Sequence, residues 1–472
     1  MTKSRLFAFA ALLSFALGFS ELAVGQEEHT PEEAPDLTMQ AAPANQPGQP
    51  AIATPLGTMI TPASSIADPK DAGLFAHTNH LIFIPAGRPM ASAAPDFTFA
   101  ETPASLGCVY MVGPLYAGCN PATGGTNHPS GGWGAIALVD AFDNPNAAAD
   151  LAAFSTHWGL PAASFTKVYA NSAFGNLNGM TASCGGTPPA NSGWGLEEDL
   201  DIEWAHAMAP AAKIILVEAC SSSLADLLYA EQVAGIKVAA GGGGDISNSW
   251  GSGEFSGEVN TTDDVFYRYH WSRITYFASA GDSGWGAQYP SSSPWVVSAG
   301  GTTVNRDASG NFVSESCWSG SGGGVSLYEK WQSPPSIANG MGPWTAYQYP
   351  FAGQTARQTP DISFDSDPAS GVWVYDSYGY GGWLVIGGTS VASPALAGIV
   401  NNANNRLGQA PAAGGDHSAT ENNLIYAQLF SNSAYPSNFY DVKTGSNGLG
   451  HNAGAGYDQC TGVGTPRGKL GK

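Results

Sequence analysis

Basic residues are scarce in this 472-residue chain, which has 17 Lys and Arg against 38 Asp and Glu and a formal net charge of −21 at pH 7. This shortage argues against binding to nucleic acid or to an anionic membrane surface, because both partners need a basic face on the protein. Charged residues make up only 12% of the chain, about half of the ~25% usual for soluble domains. A surface with few cations suffers little repulsion when its carboxylates become protonated, so the composition suits acid surroundings.

Turn formers are abundant, with 61 Gly and 32 Pro, and they predict many loops. Hydrophobic residues still make up 43% of the chain. That fraction is ample for a large core and excludes a disordered protein.

The N-terminus lacks the apolar length that a membrane span requires, which is about 20 residues. A short basic region precedes an apolar run from Leu6 to about Phe19, and small residues follow at 23–25. This arrangement is typical of a secretory signal rather than a membrane anchor. We therefore predict a signal peptide at residues 1–25 and export to the periplasm or the extracellular space, with no membrane partner.

The six cysteines include no CxxC pair, which argues against a zinc site. An even count in an exported chain favours disulfides, for which fifteen connectivities are possible. Cys108 and Cys119 bracket one short Gly-containing loop, so we predict a disulfide between them. The cysteines whose pairing stays open are Cys184, Cys220, Cys317 and Cys460.

The composition divides the chain into two further parts. Residues 26 to about 75 are rich in Pro, Ala, Thr and Glu without an apolar period, and we interpret 26–103 as a low-complexity leader or short propeptide. Residues 104–472 contain no linker and are expected to form one large domain. Apolar runs alternate there with helical segments, which predicts an α/β fold with a mostly parallel sheet and helices on both faces. The runs are 135–139, 213–217 and 274–278.

Ser390 lies in a Gly-Gly-Thr-Ser segment between a strand pattern at 383–386 and a helical pattern that continues to about Asn402. A Ser in the first turn of a helix has its hydroxyl at the positive end of the helix dipole, where backbone N–H groups can stabilise an oxyanion. The simpler interpretation is an N-cap. A nucleophile also needs a base, and none of the nine histidines is in the HGTH-like motif of subtilisin-like peptidases.

Two carboxylates could supply a different base. Glu197 and Asp201 are four residues apart in a helical pattern that we expect to end near Pro210, so they share one helix face. Two carboxylates that share a proton could act together as a general base and its orienting group. His206 lies about 180° round the helix from Glu197 and is not expected to join them. The simpler alternative is an acidic helix face in contact with solvent.

Asp282 follows the apolar run at 274–278, in the segment Ala280-Gly281-Asp282-Ser283-Gly284. An Asp can donate a hydrogen bond only when it is protonated, which low pH or a neighbouring negative charge favours. A lone Gly-Asp-Ser-Gly segment is a turn. Combined with a base made of carboxylates, it indicates a hydrolase that works in acid.

Together these segments resemble the sedolisin (serine-carboxyl peptidase) family over roughly residues 134–468. Glu197 and Asp201 match the family's helix carboxylates, Asp282 matches its oxyanion-hole Asp, and Ser390 matches its nucleophile. The resemblance implies a subtilisin-like fold and a secreted endopeptidase that cleaves polypeptides at acid pH.

Two further positions have weaker support. Asp140 aligns with a carboxylate that supports the family's catalytic pair, and Trp250 aligns with a Trp near its active site. A turn Asp at a strand end and a core Trp are equally good interpretations of these residues.

The resemblance also implies one structural Ca²⁺ near the C-terminus, since Asp side chains and carbonyl groups freed by glycines suit this hard cation. The alternative is a cluster of Gly and Asp turns. The implied ligands are the carboxylates of Asp441 and Asp458 and the backbone carbonyls of Val442, Gly454 and Gly456.

The chain departs from the family in one respect, because the family's long folded prodomain has no counterpart in the short, low-complexity segment before the catalytic domain. That departure favours a rival interpretation, an inactive exported scaffold used for binding. The intact set of Glu197, Asp201, Asp282 and Ser390 favours a peptidase. A divergent subtilisin-like peptidase is the third possibility. We expect polypeptide substrates and a monomer.

Overall fold

The protein is described here by a computed structural model, and its described residues belong to one compact unit, Ala42–Lys472. The described residues are 50–260, 273–330, 356–403, 417–429, 431 and 433–470. The predicted signal peptide lies outside them. Their helices are α1 (Pro103–Val109), α2 (Ala147–Trp158), α3 (Ser192–Met208), α4 (Leu224–Ala240), α5 (Thr389–Ala403), α6 (His417–Gln428) and α7 (Ala434–Asn438).

The strands fall into one large sheet and several smaller ones. Their bounds, in chain order, are β1 (Ala51–Ala53), β2 (Gly57–Ile60), β3 (His77–Thr78), β4 (Leu81–Pro85), β5 (Ala135–Ala141), β6 (Ser164–Ala170), β7 (Lys213–Ala219), β8 (Gly244–Asn248), β9 (Trp250–Gly253), β10 (Ile274–Ser279), β11 (Gln288–Tyr289), β12 (Val297–Arg306), β13 (Phe312–Cys317), β14 (Gly324–Lys330), β15 (Ala356–Thr359), β16 (Ile362–Asp365), β17 (Val372–Asp376), β18 (Gly382–Gly387), β19 (Phe439–Tyr440) and β20 (Thr465–Pro466).

The large sheet has the order β13-β12-β10-β8-β5-β7-β6, with β16 beside β12. Its pairings are parallel except for the antiparallel pairing of β12 with β13. Because side chains alternate along a strand, Ile136 and Leu138 of β5 join a core with α2, α3 and α5. Ala137 and Val139 join the core on the opposite face, which includes α4. The predicted α/β fold with helices on both faces is thus confirmed.

Helix α3 begins after the capping side chain of Asn191 and ends at Met208, two residues before Pro210, where the sequence predicted its end. Asn191 Oδ1 accepts from the backbone N–H groups of Gly193 and Trp194 at 2.9 and 3.1 Å, which satisfies two donors of the first turn. Every residue from Trp194 to Met208 is buried between the sheet and the other helices. The alternative of a solvent-facing acidic helix is therefore wrong.

The segment interpreted as a leader contributes strands to the fold. A five-stranded sheet has the order β1-β2-β4-β18-β17, and β4 pairs antiparallel with β18, the strand that leads to Ser390. The apolar run Leu81–Pro85 gives only a weak strand signal in the sequence, because the surrounding composition is rich in Pro and Ala. Residues 51–85 are integral to the compact unit, whereas a processing boundary near residue 103 stays a prediction.

All six cysteines form disulfides. The predicted pair Cys108–Cys119 is present, and the structure adds two pairings that the sequence left open, Cys184–Cys220 and Cys317–Cys460. Among the described residues, no helix combines the length and the apolar composition that a membrane crossing needs.

Candidate active site

Glu197 and Asp201 occupy the inner face of α3, and both side chains are fully buried. Asp201 Oδ1 accepts a hydrogen bond from Ser249 Oγ at 2.7 Å. Glu197 Oε2 contacts the ring nitrogen Nδ1 of His80. One turn of helix separates the two carboxyl groups, as the sequence predicted, and each has a different partner from a distant part of the chain.

Burial raises the pKa of Glu197 and of Asp201 well above their usual ranges. The buried carboxyl of Asp140, at the end of β5, raises the pKa of Asp201 further. The pKa of Asp140 is itself raised by burial and by the charge of Glu197. Neither carboxyl oxygen of Asp140 has a hydrogen-bond partner among the described residues. Three buried carboxyl groups this close cannot all be charged, so the cluster retains protons that solvent-exposed carboxylates would release.

Ser390 lies at the start of α5 and is fully buried. Its Oγ donates to the backbone carbonyl of Ser249 at 3.0 Å, while the Ser249 hydroxyl contacts Asp201. Ser249 therefore connects Ser390 to Asp201. The Ser390 hydroxyl also lies near enough to Glu197 to oppose the rise in its pKa, and Glu197 Oε1 has no hydrogen-bond partner in the described part of the chain.

Gly388 allows a close approach in front of this serine. Its φ is +108°, in the region that favours glycine. A Cβ at this position would lie 2.2 Å from Asn79 O and 2.4 Å from Asp282 Oδ2. The absence of a side chain at Gly388 thus leaves room for both the Asn79 carbonyl oxygen and Asp282 Oδ2 close to Ser390.

Asp282 is held by the residue before the nucleophile. Its Oδ1 accepts from the backbone N–H of Thr389 at 2.7 Å and from Thr389 Oγ1 at 2.8 Å. Burial, with a smaller contribution from the charge of Glu197, raises the pKa of Asp282 well above its usual range. The buried Oδ2 atom has no partner among the described residues, so a proton there would face the space beside Gly388.

A backbone carbonyl of the chain itself lies in that space. Asn79 O accepts from the backbone N–H of Ser390 at 3.0 Å, and the spacing around Gly388 puts it next to Asp282 Oδ2. The family resemblance assigns Asp282 to the oxyanion hole, and the position of Ser390 at a helix start makes its backbone N–H the second expected donor. The Asn79 carbonyl therefore lies where an oxyanion bound by these two groups would form.

His80, the next residue, is fully buried against Glu197. Burial lowers its pKa to about 3, while burial raises the pKa of Glu197. Both shifts favour a neutral pair, in which the Glu197 carboxyl donates its proton to His80 Nδ1. His80 Nε2 has no partner within the described ranges.

Sequence reasoning missed Asn79, His80 and Ser249. The first two lie in the segment read as low-complexity, where no pattern linked them to the carboxylates. Ser249 immediately precedes Trp250, so the weak signal at that Trp could have led to it. Trp250 itself is a core residue whose indole donates to the backbone carbonyl of Val139 at 3.0 Å.

The implied calcium ligands lie in one corner of the fold. Gly456 N–H donates to Asp441 Oδ1 and Gly454 N–H donates to Asp458 Oδ2, both at 2.9 Å. Lys443 Nζ lies 3.0 Å from the other Asp441 oxygen. No group of three or more His, Cys, Asp and Glu side chains in the described residues could hold a metal. A site here would thus depend on backbone carbonyls, and this all-oxygen donor set fits Ca²⁺.

Comparison with known proteins supports the sequence resemblance. No family model matches the chain. Kumamolisin of Bacillus sp. (strain MN-32) is 30% identical over 333 residues, which cover 62% of this chain and 52% of kumamolisin. Sedolisin of Pseudomonas sp. (strain 101) is 30% identical over 239 residues, which cover 44% of this chain and 36% of that protein. The chain is similar in sequence to these sedolisin-type proteins.

The fold of the chain matches a solved structure. Pseudomonas sedolisin, described as a serine-carboxyl proteinase in complex with two molecules of pseudo-iodotyrostatin, superposes with a TM-score of 0.58 at 24% identity. The match covers 78% of this chain and 96% of that one. It confirms the predicted subtilisin-like fold. The chain spans about half, or less, of the length of the two curated relatives named above.

Proposed function

We propose that the protein is a secreted serine-carboxyl endopeptidase that hydrolyses peptide bonds of polypeptides in acid and acts as a monomer. The observation that carries this proposal is the position of the Asn79 carbonyl, which accepts from the Ser390 N–H and lies beside Asp282 Oδ2. A peptide carbonyl fits beside the nucleophile without rearrangement of the surrounding residues. The sequence similarity to the sedolisins supports the same reaction.

In the proposed mechanism Glu197 reacts in its ionised form, not in the protonated form that donates to His80, and accepts the proton of Ser390 Oγ as that oxygen attacks the peptide carbonyl carbon. The Ser390 hydroxyl first turns away from the Ser249 carbonyl that it contacts in this structure. Glu197 then donates the proton to the leaving amine, as a general base that becomes an acid. Asp201 stays hydrogen-bonded to Ser249 and tunes Glu197, because two buried carboxyls at this spacing share charge.

The oxyanion that develops on the carbonyl oxygen is stabilised by two donors, the Ser390 N–H and a protonated Asp282. Burial of Asp282 supports this role, because it keeps the carboxyl protonated above its usual pKa. Donors fixed in a buried site stabilise such a charge strongly, since they need no reorganisation during the reaction. Thr389 supports Asp282 by donating twice to its other oxygen.

A structural Ca²⁺ is part of the proposal. Asp441 and Asp458 would hold it with the backbone carbonyls of Val442, Gly454 and Gly456. A bound ion would neutralise the carboxylates and cross-link the loop, away from the reacting groups. Burial raises the pKa of Asp458, and a bound cation would favour its charged form.

One observation favours the alternative of a subtilisin-like peptidase more than the sequence did. His80 Nδ1 contacts the carboxyl group of Glu197, and His80 Nε2 has no hydrogen-bond partner among the described residues. In a Ser-His-acid triad the histidine has the same acid partner on Nδ1, and its Nε2 faces the serine. The low pKa of His80 and its position beside the Asn79 carbonyl argue against this role. A His80→Gln variant separates the two, since the rival requires its activity to fall as far as that of Ser390→Ala.

The primary test compares the native chain with Ser390→Ala on a denatured protein substrate across the acid range. We expect hydrolysis by the native chain and a loss of several orders of magnitude in the variant, with its circular dichroism unchanged. Ser393→Ala is the matched control, because Ser393 lies on the same helix and its Oγ is hydrogen-bonded to Ser247 Oγ at 2.8 Å, not to a proposed catalytic group. If the native chain neither cleaves protein nor reacts with a serine-directed probe, the inactive scaffold is the correct interpretation.

A further inference from the structure

Residues 76–79 lie across the active site as an extended strand, which we name the cleft strand. Its central part, β3, pairs antiparallel with β9, so that His77 lies opposite Gly251. Asn79 N–H donates to Ser249 O at 3.2 Å. A strand held in this way along a sheet edge is a binding mode of extended peptides. Because the Asn79 carbonyl lies at the oxyanion donors, the cleft strand stands in for the substrate residues that precede the scissile bond.

The side chains of the cleft strand alternate between two faces. Thr78 belongs to the outer face, where its Oγ1 donates to Ser64 Oγ at 3.0 Å. Asn79 and His77 share the other face, and Asn79 Nδ2 donates there to Ser279 Oγ at 2.7 Å. The last substrate residue before the bond and the residue two positions earlier therefore face the same pocket.

The side chain of Gln288 reaches this pocket across β9. Strand β11, which carries it, pairs with β9 on the edge away from the cleft strand. A Cβ at Gly251 would lie 2.1 Å from Gln288 Nε2, so the amide passes only because this residue has no side chain. Gln288 Nε2 donates to the backbone carbonyl of Ser279 at 3.1 Å, and the same side chain hydrogen-bonds to His77. Gln288 thus contacts both the residue that holds Asn79 and the other substrate-like side chain.

The pocket is nearly closed to solvent and opposes charge. Asn79 is 1% exposed, and Ser279 is fully buried. Burial lowers the pKa of His77 to about 4, although its hydrogen bond with Gln288 opposes this shift. Ser279 Oγ donates to Asn248 O at 3.4 Å, which leaves its lone pairs free to accept from a substrate. These surroundings fit a neutral side chain that carries a donor, because an unpaired charge or an unmatched polar group is costly when buried.

We propose that Gln288 determines the specificity for the residue before the scissile bond, where it selects a short, uncharged side chain that donates a hydrogen bond. The inference rests on the proposed function. The Gln288 amide lies between Gly251 and Gly281, at 2.1 and 3.0 Å from the positions of their absent Cβ atoms. It fills space that a longer substrate side chain would need. A mismatch of one methylene in such a pocket changes the rate by roughly 10- to 200-fold.

The test uses two quenched fluorescent decapeptides that have Asn or Gln before the scissile bond and are otherwise identical. Both are incubated together with the full chain at about pH 4, near the ordinary pKa of exposed carboxyls. In this competition the ratio of the two kcat/KM values does not depend on how much protein is active or still holds the cleft strand in place. The native chain should cut the Asn peptide at least about tenfold faster. Gln288→Ala should cut the Gln peptide at least as fast as the Asn peptide, because the space is then open.

Gln232→Ala is the matched control, with the same substitution in another part of the fold. Gln232 lies on α4, and its Oε1 accepts from Asn178 Nδ2 at 2.7 Å. The control should keep the native ratio. Equal rates of the native chain on the two peptides, or a native ratio in Gln288→Ala, overturn the assigned pocket and leave the peptidase standing. A native chain that hydrolyses neither the peptides nor denatured protein overturns the proposed function and the inference together.

A second measurement does not depend on folding of a variant. The cuts that the native chain makes in a denatured protein are located by mass spectrometry of the new termini. Asn and other short, uncharged polar residues should be enriched immediately before the cuts. An excess of Lys, Arg or aromatic residues at that position contradicts the assigned pocket, although the cuts themselves support a peptidase.

Discussion

The backbone N–H of Ser390 donates to the carbonyl oxygen of Asn79 at 3.0 Å, although 311 positions of the sequence numbering separate the two residues. The nucleophile thus faces a peptide carbonyl that belongs to its own chain. Any assay of the full chain measures a site that already holds a strand.

The carboxyl pair should behave as one unit. We expect Glu197→Gln and Asp201→Asn each to lower kcat by several orders of magnitude, and the double variant to be little worse than either, because groups that act together are not additive. Steady-state kinetics on a denatured protein measures this.

Glu203→Gln is a suitable control for that pair. Glu203 is a buried carboxyl on the same helix, and its Oε2 accepts from the backbone N–H of Tyr375 at 3.0 Å, which an amide oxygen can also do. Near-native activity is expected for this variant. Strictly additive losses in the Glu197 and Asp201 variants contradict a coupled base.

The second prediction concerns the pH profile and Asp282. Burial raises its pKa well above its usual range, so the proton that it donates to the oxyanion should be present in acid and lost as the pH rises. Activity should accordingly fall on the alkaline side. Asp282→Asn keeps an acceptor for Thr389 and supplies an N–H donor at every pH, so its residual activity should extend to higher pH. A native profile that rises through about pH 7 to a plateau contradicts this mechanism.

The third prediction concerns calcium. Removal of the ion with a chelator should lower the Tm, because binding to the folded state alone stabilises by about 2.7 kcal/mol at a hundredfold excess over Kd. The double variant Asp441→Ala, Asp458→Ala should have the same lowered Tm as the calcium-free protein, whether or not calcium is added. The measurement is differential scanning calorimetry of the Ser390→Ala protein, which avoids self-digestion. A Tm that is identical in verified metal-free and calcium-loaded samples removes the site.

The fourth prediction follows from two other buried carboxyls. Burial raises the pKa of Glu231 and of Glu218 from 4.5 to about 8. The folded state therefore binds these protons more tightly than the unfolded state, and the stability they contribute is full below pH 4.5 and lost as the pH rises toward about 8. In the Ser390→Ala background, the Tm should fall across this range.

Glu231→Gln tests the sign of that effect. The amide has nearly the same shape and no charge at any pH, so the variant should lose part of the decline in Tm with pH. The free energy of unfolding of the variant should change with pH by a few kcal/mol less than that of the parent, since each pKa unit corresponds to about 1.4 kcal/mol. A variant whose Tm declines as steeply as the parent's shows that Glu231 does not carry the effect.

Local patterns in the sequence predicted much of the fold and of the site. The helix around Glu197 and the strand, turn and helix around Ser390 follow from hydrophobic periods and glycines, which depend on near neighbours in the chain. The Cys108–Cys119 disulfide could also be predicted, because only 11 positions separate the two cysteines in the sequence. The strands before residue 104 could not be predicted because they are short and their pairing partners, such as β18, lie almost 300 residues away.

The sequence by itself determined which groups could react: a helix with carboxyls four residues apart, an Asp after a strand, and a Ser at a helix start. Only the tertiary structure decided their surroundings. Packing α3 between the sheet and α5 removes Glu197 and Asp201 from water and so raises their pKa values. Folding also brings Asn79 to Ser390. Helical spacing arises from contacts within a few residues, whereas burial and the occupant of the cleft depend on segments that meet only when the whole chain has folded.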